Sequence, residues 1–315
     1  MTMNMAMTVY IKKVIVILGA VMLISMVILT GCNGVKESKD DINGTSFKKK
    51  ITSTKKQKLD EYYKNNFYDQ ALEFVNSSLS SESDNDELLN EKAKILNLLF
   101  RCDEAIQACD EGLKISPENV LLLCNKGNAL RDSDNFVDAY DCYSKVLRFN
   151  PKNEEALVGG GECLIAQGKY QEAADSFILA IKNNPDNMGA SIDLIKCYKL
   201  QSNYPEALKL YDTLIAKDKD NISLYYGKGE ILMSMNKYED SIKECDKALL
   251  ISNDYADAHY LKSCAYASLE KINDCLESLT QAVKYGDGSG IKEQAKSDGY
   301  FERIRNNPEF LKIVQ

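Results

Sequence analysis

One interval governs this chain. Stepping by 34 residues from Ala71, the column reads Ala71, Ala105, Ala139, Ala173, Ala207, Ser241 and Cys275, all small. The residue before each is Gln70, Glu104, Asp138, Glu172, Glu206, Asp240 or Asp274, and three residues before stand Tyr68, Cys102, Phe136, Tyr170, Tyr204, Tyr238 and Ile272. A further column holds Leu59, Ala93, Gly127, Gly161, Ile195, Gly229 and Ser263. Pro117, Pro151 and Pro185 keep the same interval, as do Asn85, Asn119, Asn153, Asn187 and Asn221. A period of this length means one supersecondary unit repeated, because each unit must stack on its neighbours to bury its apolar face.

The columns define the unit. Small residues on two antiparallel helices let their axes approach, so the Gly127 and Ala139 columns predict a tight crossing within each unit. The acid complements the positive end of the second helix, and the aromatic beside the turn covers the crossing. Asn caps the first helix, and Pro follows the second. Each unit reads as helix, short turn, helix.

These residues resemble the tetratricopeptide repeat. The resemblance runs over residues 52–289 as seven units: 52–85, 86–119, 120–153, 154–187, 188–221, 222–255 and 256–289. Unit 154–187 matches best, with Gly161, Tyr170, Ala173, Phe177, Ala180 and Pro185 in the family's places. Leu123, Leu157 and His259 replace the large aromatic common early in the first helix, and there is no Trp. The resemblance implies an all-α fold, an α-solenoid wound as a right-handed superhelix. Residues 290–315, with Ala295, Tyr300, Phe301, Ile304, Pro308, Phe310 and Leu311, resemble the capping helices that close such arrays.

The N-terminus carries a different signal. Val14 to Leu29 is free of charge, follows Lys12 and Lys13, and runs into Leu29-Thr30-Gly31-Cys32. The run is short for a span of about 20 residues, so residues 1–31 read as a cleavable export signal. Its end resembles the lipobox of bacterial lipoproteins, which implies lipid attachment at Cys32 and membrane anchoring of the exported chain. Residues 32–51 then form a polar tether. The alternative is an uncleaved signal anchor with the repeats in the cytoplasm, which the eight Lys between Lys36 and Lys58 favour by the positive-inside rule.

Function follows from what composition excludes. With 39 Lys+Arg against 47 Asp+Glu and a net charge of −8, the chain lacks the basic footprint of a nucleic-acid binder. His259 is the only His and falls in a packing column, so a catalytic triad has one base to use and the wrong place for it. Gly159-Gly160-Gly161 lies inside a helix without the Lys-Ser/Thr of a phosphate loop. Apart from Cys32, no two of the nine Cys are three apart, so the usual zinc spacing is absent; they read as small buried hydrophobes. Free thiols fit poorly with an oxidising space. No cofactor or metal is expected.

Binding is what remains. In the family, first helices line a concave groove that holds a peptide or helix. Carried over, the groove presents Asn125, Asn128 and Arg131, then Glu162, Lys196 and Lys199, then Tyr226, Glu230 and Tyr260. One branch of the family clamps terminal carboxylates, but here Cys124 stands beside Asn128, and Glu155 and Gly159 follow. The expected function is a non-enzymatic scaffold for a protein or peptide ligand, lipid-anchored at the outer face of a membrane. The alternatives are a cytosol-facing adaptor of an intracellular complex and, from another class, a groove-based enzyme or glycan-handling carrier.

Overall fold

The computed structural model describes residues 50–315. The readings of the export signal, of Cys32 and of the tether up to residue 49 lie outside them. Within residues 50–315, no helix is long and apolar enough to cross a membrane.

Seven helix pairs follow one another and are closed by a short helical segment. The pairs are α1 (Ser53–Lys64) with α2 (Tyr68–Ser81), α3 (Asp86–Leu98) with α4 (Cys102–Ile115), α5 (Val120–Asp132) with α6 (Phe136–Phe149), and α7 (Glu154–Ala166) with α8 (Tyr170–Asn183). Then come α9 (Met188–Leu200) with α10 (Tyr204–Lys217), α11 (Ile222–Ser234) with α12 (Tyr238–Ile251), and α13 (Ala256–Ser268) with α14 (Ile272–Tyr285). The closing segment is α15 (Gly288–Ser297), a 3₁₀ turn at Gly299–Ile304 and α16 (Pro308–Val314). Each helix packs chiefly on the helices just before and after it, and the architecture is an all-α solenoid.

Local chemistry sets the boundaries. The side chains of Asn85, Asn119, Asn153 and Asn187 accept from Leu88, Leu121 and Leu122, Ala156, and Ala190 N–H groups at the starts of first helices. Each satisfies amides that would otherwise lack a partner. Asn221 departs from the pattern: its Nδ2 donates to Asp218, as Asn85 Nδ2 does to Glu82, but no side-chain cap forms. Pro117, Pro151 and Pro185 stand just past the ends of their helices, in the turn to the next unit. There the missing N–H stops any continuation.

The small columns are fully buried. All seven members of the Ala71 column have 0% exposure. Two of the glycines accommodate an aromatic ring sixteen residues on: a Cβ on Gly127 would stand 2.8 Å from Tyr143 Cε1, and one on Gly161 2.7 Å from Phe177 Cζ. Tyr143 is also wedged against the next unit, where a Cβ on Gly159 would meet its Cζ at 2.5 Å. One ring therefore sets the spacing both inside its unit and across to the following one. Between units an ion pair recurs at the same interval, Lys126–Asp110 at 2.5 Å, Lys228–Asp212 at 2.6 Å and Lys262–Asp246 at 2.6 Å.

Seven turns between paired helices share one backbone device. Asn66, Phe100, Asp134, Gly168, Ser202, Asn236 and Glu270 all have φ between 56° and 75°. Gly adopts this left-handed region freely and Asn or Asp tolerate it, whereas a bulky side chain there is an outlier. Phe100 is that outlier. Phe100→Gly is expected to stabilise the protein by about 1 kcal/mol, seen as a melting temperature raised by about 2–4 °C.

The closing segment seals the last pair. Phe301 and Phe310 are fully buried with Ala295, Ile304 and Val314 against Leu276, Leu279 and Ala282 of α14. Lys296, Glu302 and Lys312 face outward, so α14 ends on a solvated surface instead of an open apolar one.

All nine cysteines of residues 50–315 are free thiols, and only Cys102 is not buried. Burial pushes Cys109, Cys245 and Cys275 up to about 12 and Cys163 and Cys197 up to about 11. The reactive species is the thiolate, so these thiols are inert while the array is folded. Brief iodoacetamide treatment at pH 8 should label Cys102 alone among the nine, and all nine in urea; peptide mass mapping reads the difference.

Candidate functional site

The first helices share one face, packed in two runs, α3 to α9 and α11 to α13. α3 packs on α5, α5 on α7, α7 on α9 and α11 on α13, whereas second helices do not meet across units to a comparable extent. The row that closes more tightly lies inside the curve, so the first helices form the inner face. Their positions are held by the buried columns beneath, which leaves the facing side chains free to vary.

The residues expected on this face fall into four groups. At its start, Asn125 Nδ2 donates to Asn90 Oδ1 at 2.9 Å, and Asn97 Nδ2 donates to the Asn125 carbonyl at 2.9 Å. Asn128 is held from both sides, with the Tyr143 hydroxyl donating to its Oδ1 at 2.6 Å and its Nδ2 donating to Glu155 Oε1 at 2.7 Å. Tyr143 thus reaches from the second-helix row through to the inner face, which fixes the Asn128 amide with its orientation defined.

Next along the face, Arg131 Nη1 donates to Glu162 Oε2 at 2.8 Å while Nη2 holds Asp132 at 3.1 Å. Glu162 and Lys196 also act on Asp193, a half-buried carboxyl. Burial pushes Asp193 up to about 6, Glu162 adds to the shift and Lys196 opposes it. Lys196 itself is exposed. Half-buried Val158 and Ile165 and exposed Ile192 give this stretch an apolar floor between its charges.

The third group joins α9 to α11. Lys199 Nζ and the Tyr226 hydroxyl both stand 3.5 Å from Glu230, and the Tyr226 ring meets Tyr255 edge-on at 5.7 Å. Tyr260 is set apart. It is 9% exposed, its hydroxyl donates to Asp298 at 2.9 Å, and its ring packs edge-on against Phe301 at 5.9 Å. The closing segment covers the position that the repeat pattern would open to a ligand.

Asn90, Glu155 and Asp193 belong to the face and are absent from the sequence-derived set. Two of them were within reach of the same arithmetic: Asn90 is in the column of Tyr226 and Tyr260, and Asp193 in that of Asn125 and Gly159. Tyr143 had no such signal, since it is a core residue whose hydroxyl alone emerges. His259 Nε2 stands 3.0 Å from the Asn253 carbonyl, and its ring stacks on Tyr285 at 5.7 Å. Gly159, Gly160 and Gly161 lie within α7, facing the rings of Tyr143, Tyr140 and Phe177. Among residues 50–315, no group of three or more metal-ligating side chains gathers.

Comparison with known proteins bears on what this face is. Models of the tetratricopeptide repeat match residues 124–188, 164–227 and 200–264. Residues 124–264 are tetratricopeptide repeats. The chain is similar in fold to the crystal structure of a tetratricopeptide repeat protein from Parabacteroides merdae, at 19% identity and a TM-score of 0.56, over 83% of this chain and 97% of that one. It is also similar to YrrB, described as a TPR protein with an unusual peptide-binding site, at 19% identity and a TM-score of 0.50, over 61% of this chain and 100% of that one. At this identity the likeness is one of fold. No curated protein matches the chain.

Proposed function

We propose that this protein is a non-enzymatic scaffold that holds a protein or peptide partner along its inner face while a lipid on Cys32 keeps it at the outer face of a membrane. The shared first-helix surface carries the reading: preset amides at Asn125 and Asn128, both signs of charge from Arg131 to Glu230, and an apolar floor at Val158, Ile165 and Ile192. Such a surface suits an extended segment, whose backbone needs hydrogen bonds along its length and whose side chains need alternating environments. An open face of this kind does not exclude water from a reacting centre, which argues for binding over chemistry.

The test is site-specific photocrosslinking in the native cell. A benzophenone side chain at Lys196 should capture a discrete protein, as should one at Glu162, whereas one at Ile178 on the outer row should not. Capture from Ile178 with none from Lys196 or Glu162 moves the partner to the other side of the array. The intact mass of the membrane-extracted protein tests the anchor, since a chain beginning at Cys32 with added acyl groups is expected.

A second reading has one observation in its favour. Nine free thiols suit a reducing compartment, as a cytosol-facing adaptor with an uncleaved anchor would have. An unmodified full-length mass would select it.

A further inference from the structure

The inner face leaves one outlier unexplained. Phe100 is 65% exposed and stands in the left-handed region at φ 56°, a position held in the other six turns by Asn66, Asp134, Gly168, Ser202, Asn236 and Glu270. Backbone strain on an exposed aromatic contributes nothing to the fold, and such outliers cluster where a surface is used. Phe100 also has company. Phe67, the residue before α2, is 50% exposed and Val137, near the start of α6, is 61% exposed. All lie on the edge where first helices hand over to second helices, in three consecutive units. Further along, the aromatics at the starts of second helices, Tyr170, Tyr204 and Tyr238, are half-buried, and Tyr300 of the closing segment is 42% exposed.

We propose that this turn edge of the first three units, centred on Phe100, docks on the surface of the membrane that holds the N-terminus, with Phe67, Phe100 and Val137 entering the headgroup region. The inference rests on the anchoring proposed above. What selects a lipid surface is the chain ahead of α1. The lipid proposed on Cys32 stands directly ahead of the polar stretch 33–51, which joins it to the first of these same three units. A flexible chain of that length would reach about 24 Å root-mean-square, and tethering at that distance would supply an effective concentration of order millimolar. A contact too weak to recruit a free protein is then occupied most of the time.

Charge says which kind of surface. Asp69, Asp103 and Glu104 sit beside the aromatics at the helix starts, and Arg101 is already paired with Glu104 at 2.6 Å. The edge therefore docks by apolar insertion and not by attraction to anionic lipid. With that edge down, the inner face stays open to a partner.

The chain has no Trp, so a single introduced one reports its own site. In the protein extracted from its native membrane and reconstituted into phosphatidylcholine vesicles, Phe100→Trp should emit at shorter wavelength than Phe149→Trp. Phe149 is 51% exposed at the far end of its second helix. Bromine-labelled lipid should quench the Phe100→Trp variant at least about threefold more than the Phe149→Trp variant, by the depth difference that insertion implies. Phe67→Trp should be quenched like Phe100→Trp, and adding Phe100→Asn to it should reduce its quenching while the melting temperature holds or rises. If the protein floats with the vesicles and Phe100→Trp is quenched no more than Phe149→Trp, the anchor stands and the docking edge is wrong. A blue-shifted Phe100→Trp emission that lipid does not quench, in a protein that crosslinks to itself through this edge, would replace the membrane with a second copy. Failure to float at all would overturn the anchoring, and the docking with it.

Discussion

Replacing Gly159 by Ala is expected to destabilise the array by about 2 kcal/mol, although Gly to Ala inside a helix ordinarily stabilises. The added Cβ would lie 2.5 Å from Tyr143 Cζ and 2.8 Å from its hydroxyl oxygen, and Tyr143 is fully buried with no room to withdraw. Its ring is already pressed against Gly127 on the other side, so both first helices would have to part. Tyr143→Leu alone should also destabilise, through the cavity and through loss of the bond to Asn128. The two changes together should do less harm than their sum, by at least about 1 kcal/mol. Urea denaturation of the four proteins of that cycle makes the measurement. Additive effects would mean that the ring does not set the distance between the third and fourth units.

Replacing Asp193 by Asn should raise stability by about 2 kcal/mol at pH 8 and by nothing near pH 4. The sign follows from the direction of the shift. Burial lifts the carboxyl to about 6 in the folded chain, above its unfolded value of about 4, so the folded state holds the proton more firmly. The stability this provides is complete below about pH 4 and is lost as pH rises through 6, because the folded protein must then carry a poorly solvated charge. Asn carries none at any pH. Thermal melts of both proteins between about pH 4 and 8 should converge at the acid end. Parallel curves would mean that Asp193 is solvated. Glu162 and Lys196 act on the same residue, so the substitution also tests whether the charge contributes to partner capture at Lys196.

Much of this was written in the chain because a repeat multiplies each weak signal by seven. One alanine says little; a small residue at 71, 105, 139, 173, 207, 241 and 275 fixes a helix crossing, and every one of these positions is fully buried. The Asn caps were legible for the same reason, with Asn221 the exception. What could not be read column by column was the pairing between columns. Tyr143 faces Gly159 and Tyr211 faces Gly227, so in each case a large side chain meets a Gly sixteen residues on. That compensation acts sixteen residues apart across the boundary between units, and any list organised by the period of 34 separates its two halves. The Asp110–Lys126 ion pair and its two counterparts were hidden in the same way. Tyr260 illustrates a different limit. Its register places it on the inner face, but the array ends one unit later and the last surface is covered by whatever closes it, here Phe301 and Asp298.

Each helix pair finds its burial in the pair that follows it, and this has a consequence for how the chain is made. The ring of Tyr143 waits for Gly159, Asp110 waits for Lys126, and Asn90 waits for Asn125, partners that lie 16, 16 and 35 residues further on. Contacts so local close small loops and place the array among fast folders. At a synthesis rate of roughly 5–20 residues per second, one unit follows another within about 2–7 seconds, so at any moment the growing end carries a single unit whose apolar side is still bare.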